Sequence, residues 1–311
     1  MSVVAKLFPW RGRPPIKDSS ALERTDVDAY WSEHTVNSKP FRTAEESIRY
    51  LQWRNEQYPL FPEFMEMWGR HTGQTVLDYG CGPGNDVVGF LIHGDAARVV
   101  GVDVSPKALD LARQRVALHR IRGRQVDFIR ISDAQPEIPL PDASVNYINC
   151  GGVLHHVSNP EAILAEFRRI LKPGVRGRIM VYNRQSLWFH LYVAYARMIV
   201  EGKSHGLSTE EAFRQSTDGE RCPVSVAYRS QDFLRMLEGV HLQGRFIGGY
   251  LSLIELACWH ERGKAAIEAV ELPEEHRAFL SELEFDANGY PKWQGKYAGI
   301  GGSYEMWKAE A

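Results

Sequence analysis

The residue types best suited to hold a cofactor are concentrated in one stretch, residues 75–88, TVLDYGCGPGNDVV. Asp78 closes an apolar run of strand type, and a helix is predicted to begin near Asn85. Three glycines lie between them in the spacing G-x-G-x-G: Gly80, Gly82 and Gly84. A strand, a glycine turn and a helix N-terminus together direct backbone N–H groups at a ligand. This stretch therefore predicts a cofactor site.

The glycine spacing and Asp78 indicate which kind of cofactor binds. A dinucleotide fold uses G-x-G-x-x-G, and its pyrophosphate would be repelled by a carboxylate at the end of the strand. The same carboxylate suits a cofactor that carries an ammonium group. The pattern thus disfavours an NAD-dependent dehydrogenase.

A second acidic residue, Asp103, ends the predicted strand 98–105, nineteen residues after Gly84. A carboxylate at this place can accept hydrogen bonds from both ribose hydroxyls of an adenosine. The helix that follows begins at Ser105 and Pro106 and has apolar residues at helical spacing. Strand, acidic end and helix recur in the same order, which favours a doubly wound α/β sheet.

With these motifs the sequence resembles the class I S-adenosylmethionine-dependent methyltransferases, including the type 11, ubiquinone-biosynthesis-like small-molecule enzymes. Residues 76–84 match (V/L)LD-x-G-C-G-x-G, 153–157 read VLHHV, and 172–174 form a K-P-G turn before a strand. In this family, an acidic and a small residue such as Asp133 and Ala134 contact the adenine amino group and ring. The resemblance implies S-adenosylmethionine as the cofactor and these contacts: Asp78, Gly80, Cys81, Gly82, Gly84, Asp103, Val104, Asp133, Ala134 and Asn149.

The predicted fold is a Rossmann-like, mostly parallel seven-stranded sheet with N-terminal helices and a helical lid insertion. We divide the chain into an arm and helical cap (1–72), the cofactor-binding core (73–183), the lid (184–229) and the completion of the core (230–311). Three helices precede the first strand, with Asp28 or a neighbour capping the first, and Ser230 caps a later helix. The fourth strand is centred on residues 145–148. The apolar helix 187–200 is interpreted as a lid, a dimer contact or core packing.

Methyl transfer from a sulfonium needs no acid, because the leaving group departs neutral. A base is needed only when the acceptor is a hydroxyl, an ammonium or an acidic carbon, and the best candidates are His155 and His156. Their alternative role is to pack against the cofactor. Candidate substrate contacts are Tyr30, Trp31, Tyr182 and Asn183, with His34 beside them. Aromatic core packing is the alternative for the residues of the first helix.

Composition limits the remaining functions. The 311 residues carry a net charge of −2, which gives no charge-based case for nucleic acid. Four scattered cysteines and no His/Cys spacing predict reduced thiols and no metal. The basic, proline-rich residues 1–20 do not resemble a secretory signal, so we expect a cytoplasmic protein without a membrane span that acts on a small molecule. A homodimer is one option for its assembly. An RNA or protein methyltransferase and a non-catalytic S-adenosylmethionine-binding regulatory subunit are the alternatives.

Overall fold

The computed structural model describes residues 26–204 and 206–309, so the predicted N-terminal arm lies outside it. A seven-stranded sheet forms the centre of the fold in the order β3-β2-β1-β4-β5-β10-β6. Its strands are β1 Thr75–Tyr79, β2 Arg98–Asp103, β3 Gln125–Arg130, β4 Tyr147–Gly151, β5 Arg176–Tyr182, β6 Leu242–Tyr250 and β10 Gly301–Lys308. Three short strands form a separate sheet: β7 Glu284–Phe285, β8 Pro291–Trp293 and β9 Lys296–Tyr297. The predicted seven-stranded sheet is confirmed.

Strands β1 to β5 run parallel, and β10 runs antiparallel to both β5 and β6. The register places Asp78 of β1 beside Gly101 of β2 and Asn149 of β4. Because parallel strands end at one edge of a sheet, the polar residues that close β1, β2 and β4 lie together there.

Ten α-helices are described, and three of them precede β1, as predicted. They are α1 Val27–Glu33, α2 Ala44–Gln57, α3 Phe61–Phe64, α4 Asn85–Ile92, α5 Pro106–Leu118, α6 Pro160–Ile170, α7 Thr209–Asp218, α8 Ser230–Gly239, α9 Leu253–Glu268 and α10 Glu274–Ser281. A 3₁₀ turn spans Leu154–His156. Two apolar clusters cover the sheet, one built around Phe167 and Leu77 and the other around Phe90 and Val76.

Trp188–Val200 forms a π-helix, whose hydrogen bonds span five residues, where the sequence predicted an ordinary helix. Leu191 packs with Cys258 and Phe279 in one apolar cluster, and Phe189 packs with Phe213 in another. The structure therefore shows core packing for this segment, one of the three interpretations given by its sequence.

Several local predictions are wrong. Strand β4 begins at Tyr147, because Val145 only forms an isolated bridge with Leu171 of the turn after α6. Ser230 is the first residue of α8 and its hydroxyl donates to Gln185, so Arg229 is the N-cap. The short sheet β7–β9 had no signal in the sequence.

Within the described ranges, no helix has both the length and the apolar character that a bilayer span requires.

Candidate active site

A cavity of about 310 Å³ opens at the carboxyl edge of β1, β2 and β4. Seven of the ten predicted cofactor residues line it: Asp78, Gly80, Cys81, Gly82, Asp103, Val104 and Asp133. The other three, Gly84, Ala134 and Asn149, are not among its lining residues. The volume lies at the lower end of the range of small-molecule sites, about 300–1,000 Å³.

The turn after β1 depends on glycine at two positions that serve different purposes. Gly80 has φ +71°, and a Cβ there would lie 2.2 Å from Cγ2 of Val153. Gly84 has φ +77° and is the N-cap of α4, where a Cβ would lie 3.0 Å from Cβ of Ala112. Gly80 thus keeps the loop close to the segment after β4, and Gly84 keeps α4 close to α5.

Asp103 is fixed by the loops it joins. Its Oδ2 accepts a hydrogen bond of 2.8 Å from the backbone N–H of Gly82, and its Oδ1 accepts one of 2.8 Å from Ser105. Burial raises the pKa of this carboxyl, while the backbone donors lower it. Each oxygen keeps a second lone pair, so the group can hold the loop and still accept from a ligand hydroxyl.

Asp78 is buried at the centre of the carboxyl edge. Its Oδ1 accepts a hydrogen bond of 2.8 Å from Nδ2 of Asn149, while its Oδ2 has no partner among the described residues. Burial, followed by the nearby Asp86 carboxylate, raises the pKa of Asp78 well above its ordinary value. Asn149 therefore holds the Asp78 side chain without lining the cavity itself. The unpartnered oxygen of Asp78 is suited to a cationic ligand group.

Asp133 lies at the cavity, whereas its neighbour Ala134 is not among the lining residues. Asp133 lines the cavity, and its Oδ1 accepts from the backbone N–H of Ser158 at 3.0 Å. Ala134 is exposed, and its N–H lies 3.3 Å from Oγ of Ser132. Asp28 does not cap α1, since Asp26 does; its carboxylate accepts from Ser132 and from the N–H of Asp133. The contact expected of Ala134 with adenine stays a prediction.

Of the four predicted substrate residues, Trp31 alone is among the lining residues of the cavity. Its ring centroid lies 4.7 Å from that of His156. The hydroxyl of Tyr30 donates to the backbone oxygen of Asp218, and the hydroxyl of Tyr182 donates to the Asp218 side chain. The Asn183 side chain donates to Gln185 and Gly299 oxygens, so the residue has a structural role at the end of β5. His34, the C-cap of α1, stacks on the Tyr30 ring.

His155 and His156 differ in what they face. His155 is fully buried outside the cavity lining, and its Nδ1 accepts from the N–H of Tyr182 at 3.3 Å. His156 lines the cavity, and its Nδ1 donates to the backbone oxygen of Val224 at 2.8 Å. Burial lowers the pKa of both rings. With Nδ1 as the donor, the neutral ring of His156 keeps an unprotonated Nε2, the form that a general base requires.

Asp218 had no signal in the sequence, because it lies 62 positions beyond His156. Its Oδ1 is 3.6 Å from Nε2 of His156, and its Oδ2 accepts from the hydroxyl of Ser225 at 2.6 Å. His156, Asp218 and Cys222 bring three potential metal ligands within 4.8 Å of one another, although their spacing in the sequence predicts no metal site. Burial, with Asp218, raises the pKa of the Cys222 thiol to about 12, which keeps it protonated.

Two further lining residues, Arg54 and Arg115, were also missed. Arg54 of α2 forms an ion pair with Asp86 in the first turn of α4. Arg115 reaches the cavity from α5. Arginines on helices are usually solvated, so spacing alone carries no signal that these two turn inward.

Comparison with known proteins agrees with this architecture. A family model described as "Methyltransferase domain" matches residues 77–179. An uncharacterized 37.1 kDa protein in transposon TN4556 of Streptomyces fradiae is 37% identical over 151 residues, 48% of this chain and 41% of that protein. A ubiquinone biosynthesis O-methyltransferase of Dechloromonas aromatica is 31% identical over 130 residues, 42% of this chain and 53% of that protein. The chain thus spans about half the length of these curated relatives.

Among solved structures, an S-adenosylmethionine dependent methyltransferase from Mesorhizobium loti shares the fold, with a TM-score of 0.50 and 18% identity. The match covers 79% of this chain and 96% of that one. The glycine loop, the two strand-end carboxylates and the matched domain agree with one another. Residues 77–179 therefore form a methyltransferase domain of the class I type, and S-adenosylmethionine is the cofactor of that domain.

Proposed function

We propose that this chain transfers the methyl group of S-adenosylmethionine to an oxygen of a small, largely apolar acceptor. One observation carries the proposal: a single cavity is lined by Asp103, by Asp78 with an unpartnered oxygen, and by His156. These groups suit a ribose, a cationic amino-acid end and an acceptor hydroxyl, in that order.

The cofactor supplies the methyl group, and the protein contributes binding and orientation. Asp103 would accept hydrogen bonds from the ribose hydroxyls, while the glycine loop allows close approach to the backbone. Asp78 would bind the ammonium group through its unpartnered Oδ2. Holding donor and acceptor in line within a water-poor pocket lowers the barrier by several kcal/mol, about 7 or more in well-oriented cases.

His156 is the residue that we assign as general base. Its Nε2 would take the proton of an acceptor hydroxyl, and the resulting imidazolium would be stabilised by Asp218 at 3.6 Å. Tyr182 and Ser225 fix Asp218 by donating to its two oxygens at 2.9 and 2.6 Å. Val224 fixes the ring by accepting from Nδ1. A hydroxyl acceptor is the simplest substrate that uses this arrangement, because thioether or amine acceptors present in free-base form need no base.

The acceptor class follows from the cavity wall near His156. Trp31 and Val157 are apolar, and Val153 and Ile131 extend the same surface. The ubiquinone biosynthesis O-methyltransferase of Dechloromonas aromatica, by its name, methylates oxygen. We therefore favour a flat or apolar metabolite with a hydroxyl group over RNA or protein, and a transferring enzyme over a regulatory subunit.

The test is transfer of a labelled methyl group from S-adenosylmethionine in three parallel assays: a metabolite extract, tRNA and a protein extract. We expect label in the apolar metabolite fraction, lost in the His156→Ala variant. Label in tRNA or protein alone would reject a small-molecule acceptor. Binding of the cofactor without transfer to any fraction would favour the regulatory-subunit interpretation instead.

A further inference from the structure

Arg115 is a buried cation, and one of its guanidinium nitrogens has no hydrogen-bond partner among the described residues. The residue is 2% exposed and lines the cavity from α5. Its Nε donates to Oγ of Ser47 at 2.7 Å, and its Nη2 donates to the Ser47 backbone oxygen at 2.9 Å. Its Nη1 is buried and has no hydrogen-bond partner among the described residues. By elimination, Nη1 is the nitrogen available to a group that enters the cavity.

The charges around Arg115 are not balanced within its end of the cavity. Asp86 is the acidic residue that faces it, and Asp86 already forms an ion pair with Arg54. Burial lowers the pKa of Arg115 to about 10, so the group still carries its charge near neutral pH. A buried charge that lacks a partner of opposite sign is unfavourable. An anion in the cavity would remove this imbalance.

Two aromatic rings and Ser47 restrict the orientation of the Arg115 guanidinium. The guanidinium carbon of Arg115 lies 4.4 Å from the centroid of Phe41 and 5.7 Å from that of Tyr50. Ser47 fixes two of its nitrogens, so the planar group has little freedom to rotate. With Nε and Nη2 held by Ser47, Nη1 presents its N–H groups in a fixed plane and gives a carboxylate oxygen a charged, directional donor.

We propose that Arg115 binds a carboxylate that enters the cavity beside Arg54. The proposal rests on the proposed function, because the carboxylate has two possible sources there: the methionine part of the cofactor, or an acid group of the acceptor. Asp78, which lines the same cavity with one unpartnered oxygen, favours the cofactor. An α-amino acid would place its ammonium at the Asp78 end and its carboxylate at the Arg115 end.

The test is calorimetric titration of the full chain and its Arg115→Gln variant with three probes. S-adenosylhomocysteine contains the amino acid, 5′-methylthioadenosine lacks it, and benzoate is added to protein saturated with S-adenosylhomocysteine. If Arg115 binds the carboxylate of the cofactor, Arg115→Gln weakens the binding of S-adenosylhomocysteine about 10- to 100-fold. The affinity for methylthioadenosine stays unchanged, because only S-adenosylhomocysteine carries the carboxylate. For an acceptor acid, the variant instead loses benzoate binding.

Arg113→Gln is the matched control, since Arg113 lies on the same helix but is exposed and pairs with Asp110. The proposal is overturned if Arg115→Gln binds all three probes as Arg113→Gln does. Should Arg115→Gln fail to fold, Arg115→Lys gives the same comparison, because an ammonium lacks the fixed planar donors of the guanidinium and is expected to weaken the binding of S-adenosylhomocysteine about fivefold. A wild-type chain that does not bind S-adenosylhomocysteine would reject the proposed function itself, which separates the two failures.

Discussion

Nδ2 of Asn149 donates a 2.8 Å hydrogen bond to Oδ1 of Asp78, and both side chains are buried. The two residues are register partners on adjacent parallel strands, so the sheet itself sets this contact. Because Asn149 occupies one oxygen, the other is left without a partner. The sheet thus presents a single, desolvated carboxylate oxygen to the cavity, and we propose that this oxygen recognises the cationic end of the cofactor.

The raised pKa of Asp78 predicts that cofactor binding releases protons. Burial and Asp86 favour the protonated form of the empty site, whereas an ammonium ligand requires the carboxylate. Affinity for S-adenosylhomocysteine should therefore increase with pH until the raised pKa is passed, and proton uptake by the buffer should accompany binding. Calorimetry in buffers of different ionisation enthalpy measures this release.

Asp78→Asn is the variant that tests the assignment of this proton. The amide carries no titrating proton, so the variant should bind S-adenosylhomocysteine about 10-fold or more weakly and with less dependence on pH. An unchanged proton release in Asp78→Asn would show that another group titrates.

Substitution by alanine should lower the free energy of unfolding by different amounts at Gly80 and at Gly82. Both have positive φ, +71° and +51°, so alanine at either position carries a backbone penalty of about 1–2 kcal/mol. A methyl group at Gly80 would also overlap Val153, whereas none of the described atoms lies within 4 Å of one at Gly82. Gly80→Ala should therefore lower the free energy of unfolding by roughly 1–3 kcal/mol more than Gly82→Ala. Urea unfolding measures both, and equal losses would contradict the close contact with Val153.

The raised pKa of Glu255 predicts that the stability of the fold depends on pH, independently of the cavity. It caps α9 by accepting from the N–H of Ser252 at 2.7 Å, and burial raises its pKa from near 4.5 to about 7. A raised folded-state pKa stabilises the fold below about pH 4.5, and this stabilisation is lost as the pH rises through about 7. Up to roughly 3 kcal/mol of the free energy of unfolding should disappear between these limits.

Thermal unfolding of Glu255→Gln across this pH range is the measurement. The variant should lose most of the pH dependence that Glu255 contributes, because glutamine does not titrate. Glu268→Gln, at the exposed end of the same helix, is the control and should retain it. Parallel profiles for the wild type and Glu255→Gln would show that the pKa of Glu255 is not raised in the folded protein.

His156 predicts how the rate of methyl transfer depends on pH. Burial lowers its pKa below the ordinary value of 6.5, so the free base should predominate near neutral pH and the rate should fall only in acid. His156→Ala should reduce kcat about 10²- to 10⁴-fold while S-adenosylhomocysteine affinity stays within about threefold. His155→Ala, which alters a buried ring outside the cavity lining, should mainly lower stability. Equal losses of kcat in the two variants would contradict the separate roles.

The sequence predicted the parts of the fold that are local in the chain. The glycine loop, the strand-end Asp103 and the helix at Asn85 follow from residue types within a few positions of one another, and the structure places them as expected. The strand after residue 140 was shifted, because apolar residues such as Val145 suit both a strand and the segment that leads into it. The short sheet after α10 has strands of two or three residues, too short to produce a pattern.

The candidate site was predicted only in part, for a related reason. Asp218 reaches His156 from α7, and Arg115 turns inward because Ser47 of α2 accepts its hydrogen bonds. Such contacts join elements that are distant in the chain, so no spacing rule reveals them. The same limit explains why Tyr182 and Asn183, which end the fifth strand as predicted, support the site or the sheet and do not line the cavity.

We propose that the cavity between Asp78 and Asp103 holds the cofactor, and titration with S-adenosylhomocysteine tests this assignment most directly. We predict one site per chain with a Kd below about 100 µM, weakened about 10-fold or more in Asp103→Asn, which loses the charge but keeps the size of the side chain. Binding that is absent at millimolar ligand, or that is equal in the wild type and Asp103→Asn, would contradict the account.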